Sequence, residues 1–477
     1  MSAEQPSAPY LDAVVAYGTR GPGRFHVPGH KGGQGADPAV RFGLGRALAL
    51  DIPQDIWGVD LGVEPTPYDE AERLAAEAHG AARTFFLTNG ATQGNHALCL
   101  ALAPLGAQVV VQRNSHASVV DGLVLSGGVP AFVAPQYDAG LGMANGVEPA
   151  ALERVLAEAP EARAAFIVSP TYYGMIADVE GCAEVARAAG VALVVDQSWG
   201  PHFGFHEGVP ESALALGADA VLTSTHKIAG ALTQAAMLHI ADGLVEPELV
   251  SRSIRLVRST SPSSLLLASL DGARRQLALH GEQMLHETLQ AIAAARAKLE
   301  AIDSVAVVDN ADRLRIVLDV RASGRTGYEW SDALRRHYDV NVELATQATI
   351  VFLVGLGERS ETLQRLAGDV EEVAKRISRA GETSAIVRPP ATLRNEMAVS
   401  PRDAFLGAAE LVSADDAVGR VSCESIAGYP PGIPALLPGE RIGAETVAYL
   451  REIVAGGARL HGASDPSFAS IHVLIEE

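Results

Sequence analysis

Between about Arg83 and Ile240 the chain alternates short apolar runs with alanine-rich stretches whose apolar positions return at helical spacing. The runs are Thr84–Leu87, Ala107–Gln112, Ala131–Val133, Ala164–Val168, Val191–Val195, Ala220–Thr223 and Ala236–Ile240. Each is nearly continuous in apolar character, as expected of a strand buried on both faces. Segments such as Val179–Ala189 predict the helices that cover them. The pattern predicts an α/β fold with a mostly parallel seven-stranded sheet. Ligands of such sheets gather beyond the carboxyl ends of the strands.

The pattern changes on both sides of this region. Up to about Val59 glycine and proline are frequent, which predicts an irregular arm. From Leu265 to about Ile302 a long helix is expected to bridge to a smaller α/β domain. Its elements are a strand Leu314–Val320, a helix near Trp330–His337, a strand Ile350–Val354 and a helix Glu361–Ser378. Beyond Ile386 come the proline-rich run Gly428–Pro438 and a helix near Glu445–Ala455. The expected division is an arm (1–60), a large ligand-binding domain (61–263), a bridging helix with a small α/β domain (264–385) and a C-terminal domain (386–477).

Composition narrows the function classes. At 477 residues, 48% hydrophobic and 20% charged, the chain has the profile of a soluble enzyme of two or three packed units. The formal charge of −20 opposes binding to nucleic acid or to anionic membranes. Cys99, Cys182 and Cys423 lie far apart, so neither a zinc site nor a disulfide framework is indicated, and no metal is expected. The polar start, Met1–Pro9, lacks a signal-like region, and apolar runs fall short of a membrane span. A cytoplasmic enzyme is expected.

Four strand-end motifs carry candidate chemistry. Thr223-Ser224-Thr225-His226-Lys227 follows an apolar strand. A lysine there is ordinarily solvated, but flanking hydroxyls and a histidine can hold a phosphate while a deprotonated lysine forms an imine. Val194-Val195-Asp196-Gln197-Ser198-Trp199-Gly200 ends another strand. Asp196 there is either a helix cap or the carboxylate that pairs with the protonated pyridine nitrogen of pyridoxal 5'-phosphate (PLP). Thr84 to Asn95 reads as strand, Asn89-Gly90 turn and helix start, where Ala91 and Thr92 can cradle a phosphate. Arg113-Asn114-Ser115-His116 ends the fourth strand, and His116 is either a structural histidine or a ring that stacks on the pyridine.

Taken in order, these segments resemble the fold-type-I Orn/Lys/Arg decarboxylases over nearly the whole chain. Further matching pieces are Phe25-His26-Val27-Pro28-Gly29-His30-Lys31-Gly32-Gly33, Ser169-Pro170-Thr171-Tyr172-Tyr173-Gly174, Leu232-Thr233-Gln234, Gly419-Arg420-Val421-Ser422-Cys423-Glu424, Tyr429-Pro430-Pro431-Gly432-Ile433-Pro434 and Pro438-Gly439-Glu440-Arg441-Ile442. The length resembles the shorter members, which lack an N-terminal regulatory domain. The resemblance implies a PLP-dependent transferase-like (fold type I) large domain, with Lys227 as the imine lysine and Asp196 as the pyridinium partner. It implies that His116 stacks on the ring, Ser198 packs beneath it and Trp199 reaches its hydroxyl. Ala91, Thr92, Ser224 and His226 then hold the phosphate. It also implies a homodimer or dimer-based homo-oligomer, with Phe25–Gly33 and Cys423-Glu424 helping to line the pocket.

The implied reaction is decarboxylation of a basic amino acid, arginine to agmatine first, with lysine or ornithine as the alternative. Lys227, His116 and groups near Cys423 are the candidate proton donors at Cα. Where many shorter relatives read Asp-Glu-Ala-His-Gly, this chain has Asp196-Gln197-Ser198-Trp199-Gly200, whose tryptophan is closer to longer relatives. Elimination or transamination would use the same lysine and aspartate. A non-catalytic PLP-binding regulator predicts loss of a key residue, and all are present.

Overall fold

A computed structural model describes residues 4–377, 395–429 and 433–476. The expected strands form one seven-stranded sheet: β1 (Arg83–Leu87), β2 (Gln108–Gln112), β3 (Val129–Val133), β4 (Ala164–Val168), β5 (Ala192–Asp196), β6 (Ala220–Thr223) and β7 (Ala236–Ile240). Their spatial order is β1-β7-β6-β5-β4-β2-β3. β7 runs against both of its neighbours; β5 with β6, and β2 with β3 and β4, are parallel. All five residues of β5 and of β7 are buried, which is why these strands read as unbroken apolar runs.

The chain forms two compact units, each built from two stretches of sequence: 1–97 with 194–285, and 98–193 with 286–477. In the first unit the amino-terminal region departs from expectation. Pro9–Arg20 is a helix of 12 residues that buries Tyr10, Val14 and Tyr17. Proline at its first turn and the left-handed Gly21 beyond its end bound it. The glycine and proline density of residues 21–36 concealed this 3.6-residue period. The bridging helix, Ser264–Glu300, belongs to this unit as far as Leu285 and captures the first one. Buried Asp271 accepts from the amides of Tyr10 (3.0 Å) and Leu11 (3.2 Å), which have no acceptor within their own helix. Arg274, also fully buried, pairs with Asp271 at 2.6 Å and donates to the carbonyls of Gln5 (2.8 Å) and Ser7 (2.6 Å).

In the second unit the small sheet has four antiparallel strands, ordered Ala306–Val307, Arg315–Asp319, Thr349–Leu353, Leu344–Ala345. Val317, Leu344 and Val351 share a core with Met143 and Tyr173. The expected helices are present as Gly327–Tyr338, Ser360–Ile377 and Ala444–Ala455; Ser378 lies outside the described residues. The C-terminal segment holds strands not foreseen: Ala409–Ser413 pairs with Ser470–Leu474, and Ile426–Tyr429 lies between Ile433–Leu436 and Arg459–His461. They enclose their own core around Ile426, Leu436, Leu450 and Ile471. Pro430 to Gly432, within the proline-rich run, lie outside the described residues.

Asp271→Ala removes the counter-charge of a buried arginine and leaves two helix amides without an acceptor. The expected loss is about 3–5 kcal/mol. Hydrogen exchange of Pro9–Arg20 should rise well before that of β6, and equal exchange would contradict the account.

Candidate active site

Two loops at the carboxyl ends of neighbouring strands carry Asp196 and Lys227. Asp196 is the last residue of β5 and stands in register with Leu222 of β6. It is 8% exposed. One carboxylate oxygen accepts from Asn95 Nδ2 at 3.2 Å and the other from the Ser198 amide at 3.0 Å. The Ser198 carbonyl then accepts from the Ser224 amide at 3.2 Å, which stitches the Asp196 loop to the Lys227 loop. Gln197 stiffens the turn, donating to the Gly200 carbonyl and accepting from the Ala213 amide, both at 2.8 Å.

Lys227 lies in a single helical turn, Thr225–Ile228, and its amide donates to the Ser224 carbonyl at 3.0 Å. Its Nζ sits 3.6 Å from the centroid of the buried Trp199 ring, within cation–π reach. Beside it, the amide and Nδ1 of His226 both meet the Ala235 carbonyl, at 3.1 and 3.0 Å. A carbonyl only accepts, so Nδ1 carries the proton and Nε2 presents the lone pair of the neutral ring. Burial pushes His226 below its ordinary value; the Lys227 charge adds to this and the Ala235 hydrogen bond opposes it.

The third element is the helix Gly90–Leu102, which starts beyond β1. Gly90 takes φ +69° and its amide donates to the Gln234 carbonyl at 2.8 Å. Buried Gln93 folds back to accept from the Thr88 and Asn89 amides, at 3.3 and 3.2 Å. Ala91 and Thr92 occupy the first turn, whose amides precede any intrahelical acceptor. The helix lies close against the sheet: a Cβ at Gly94 would fall 2.3 Å from Leu222 Cδ1. This approach lets Asn95 reach Asp196. Sequence reasoning did not single out Asn95. Ser198 Oγ and Thr225 Oγ1 are buried with no hydrogen-bond partner among the described residues.

His116 belongs to the second unit. It caps the helix Ala117–Ser126, and its Nδ1 accepts from the Ser118 amide at 3.2 Å and lies 2.9 Å from the Ser118 hydroxyl. The neutral ring therefore keeps its hydrogen on Nε2. The structure thus joins Asp196, Ser198, Trp199, Ser224, His226 and Lys227 through two stitched loops, with Asn95 linking the Ala91–Thr92 turn to them.

The arrangement is that of a fold-type-I PLP enzyme: a lysine beyond one parallel strand, an acid ending the next, and a helix start at a third. Sequence comparison narrows the class. Residues 8–321 match the Orn/Lys/Arg decarboxylase major domain and residues 384–465 the C-terminal domain of the same family. The chain belongs to the Orn/Lys/Arg decarboxylase family, whose members are PLP-dependent amino-acid decarboxylases. It is 36% identical to an arginine decarboxylase of Halalkalibacterium halodurans, over 99% of this chain and 98% of that one. It is 33% identical to an arginine decarboxylase of Bacillus subtilis, over 99% of each. Its fold matches the structure of the Escherichia coli constitutive lysine decarboxylase with a TM-score of 0.82 at 20% identity, covering 99% of this chain and 82% of that one.

A histidine cluster braces the strands behind the site. His239 of β7 lies between the hydroxyls of Thr84 (2.9 Å) and Thr223 (3.1 Å), and its ring is 4.3 Å from that of His79. Burial pushes His79 from 6.5 down to about 4, and His239 well below its usual value. A histidine with a lowered folded pKa binds its proton more readily when unfolded. The stability it contributes is complete above about pH 6.5 and falls as the pH drops towards 4. His79→Gln should flatten that fall, read as the change in urea midpoint between about pH 7 and about pH 5; an unchanged slope would exclude His79 as a source.

Proposed function

We propose that this chain decarboxylates arginine to agmatine, using pyridoxal 5'-phosphate held by the residues assembled above. One observation carries the reading. Asp196 is a buried carboxylate at the end of β5, beside the Lys227 loop, that accepts from Asn95 and from the Ser198 amide. Burying such a charge is costly unless a counter-charge completes it, and a protonated pyridine nitrogen is one. The unpartnered Ser198 and Thr225 hydroxyls suit the same polar guest.

When bound, the cofactor supplies the sink for the electron pair left at Cα as the carboxylate departs. The chain's own residues hold and orient. Lys227 would attach the cofactor through Nζ, and Trp199, whose ring lies against that atom, would reach the ring hydroxyl. Ser198 would pack under the cofactor ring and His116 would stack on it. Ala91, Thr92, Ser224 and His226 would hold its phosphate, and His226 would offer Nε2 to it, since Nδ1 is committed to Ala235. Lys227 and His116 are the groups assigned to deliver a proton at Cα. Arginine, rather than lysine or ornithine, rests on the full-length relatives named for it.

The working unit in this reading is a homodimer in the cytoplasm. The segment from Phe25 to Val63 exposes Phe25, Phe42 (93%), Trp57 (72%) and Val63 (83%). A second copy of the chain is the occupant proposed for it. Phe42→Ser with Trp57→Ser should shift the sedimentation profile from dimer towards monomer; an unchanged profile would send the interface elsewhere.

Assay of CO₂ released from labelled arginine, lysine and ornithine by the PLP-loaded protein tests the chemistry, with arginine expected to give the highest kcat/KM. Borohydride should fix the cofactor on Lys227, and Lys227→Ala should abolish both fixation and turnover. Asp196→Asn, which keeps the size and removes the charge, should lower kcat about a hundredfold or more. Arginine inert while lysine or ornithine reacts would overturn the substrate assignment. Ammonia and a keto acid as products would overturn the reaction.

A further inference from the structure

The helix that His116 begins is held at both ends by the C-terminal segment of the chain. At its far end, Arg402, on the short helix Pro401–Leu406, donates to the carbonyls of Val124 (2.9 Å) and Leu125 (2.8 Å). These last-turn carbonyls have no amide partner within the helix, and the guanidinium meets the negative end of its dipole. Gly127 ends the helix at φ +81°, and a Cβ there would come within 3.4 Å of Arg402 Cδ.

At the near end, Arg113 precedes His116 by three residues and reaches 321 residues along the chain. It donates to the carbonyls of Pro434 (2.7 Å) and Ala435 (3.3 Å) and pairs with Glu440 at 3.1 Å. Glu440 is fully buried and also accepts from the Leu437 amide (2.9 Å) and Asn395 Nδ2 (3.3 Å). The turn between is braced on its other side by Gln112, which donates to Asn114 (2.7 Å) and accepts from the Val168 amide (2.8 Å). A helix of ten residues that needed only to pack against the sheet would not require two arginine links to residues 395–440, one through Arg113 before its start and one from Arg402 to its last turn.

We propose that the C-terminal segment is a clamp that sets the position of His116, with Arg113 and Arg402 as positioning residues. The clamp rests on the reading of His116 as the residue that stacks on the cofactor. A displacement of about 1 Å in a catalytic contact can cost about a hundredfold in rate, so a helix pinned at both ends has a functional rationale.

The test uses Arg402→Ala and Glu440→Gln in the full chain, alone and combined with His116→Ala. Hydrogen exchange of residues 112–126 in the cofactor-free protein should rise in both clamp variants, while that of Arg83–Leu87 stays unchanged. PLP affinity and kcat should fall about tenfold in each, with KM for arginine little moved. On the His116→Ala background neither substitution should add to the loss. Arg402→Lys, which retains one donor for the carbonyls, should fall between wild type and Arg402→Ala. Unchanged exchange across 112–126, or losses that add in full to that of His116→Ala, would overturn the clamp. Wild-type PLP affinity in His116→Ala would instead sink the stacking role, while the exchange result still judges the clamp.

Discussion

Asp196 is a buried carboxylate, and two hydrogen-bond donors from different elements have to be brought to it. Asn95 and the Ser198 amide each give one hydrogen bond, and neither carries a charge. Much of the surrounding structure follows from delivering those two donors. The helix Gly90–Leu102 must lie close enough to β6 for Asn95 to reach across, and that closeness leaves no room for a Cβ at residue 94. The Ser198 turn must bend back on Asp196, and in doing so it turns its carbonyl to the Lys227 loop. A glycine in one helix and a serine in one loop are therefore parts of the same electrostatic arrangement.

The two units spend their buried charge differently. In the first, Arg274 and Asp271 lie within one helix turn and satisfy each other, and their spare capacity holds the amino-terminal segment. That pair is complete within the protein. In the second, Arg113 and Glu440 come from distant parts of the sequence and are likewise closed off by backbone carbonyls and an amide. Asp196 is held differently, by the neutral Asn95 side chain and the Ser198 amide, where the loop that carries Lys227 begins. This contrast is what separates a site from a scaffold, since burial alone describes all three carboxylates.

Much of the main sheet was legible in the sequence because strands covered on both faces leave little choice of residue. Ala164–Val168, Ala220–Thr223 and Ala236–Ile240 begin and end where the apolar runs do. The motif residues Lys227 and Asp196 could be placed at strand ends for the same reason. Elements with one exposed face were harder. The helix Pro9–Arg20 shows only Tyr10, Val14 and Tyr17 to the core, and the glycines that follow hid it. Among the C-terminal strands, Ala409–Ser413 buries little, so no apolar run marks it. Partners such as Asn95 and Arg402 could not be read at all. Their contacts depend on which chain segments meet, and a single sequence carries no record of that.

The interleaving of the two units has a bearing on how the protein is made. Residues 98–193 leave the ribosome before 194–285 complete the first unit, and their own partners begin only at His286. At about 5–20 residues per second the intervening stretch from 194 to 285 takes roughly 5–20 seconds to synthesise. Through that interval the nascent segment containing β2, β3 and β4 has none of its later companions, and Arg113 still lacks Glu440. The order of synthesis thus leaves the edges of β2, β3 and β4 open before the stretch that completes their unit exists.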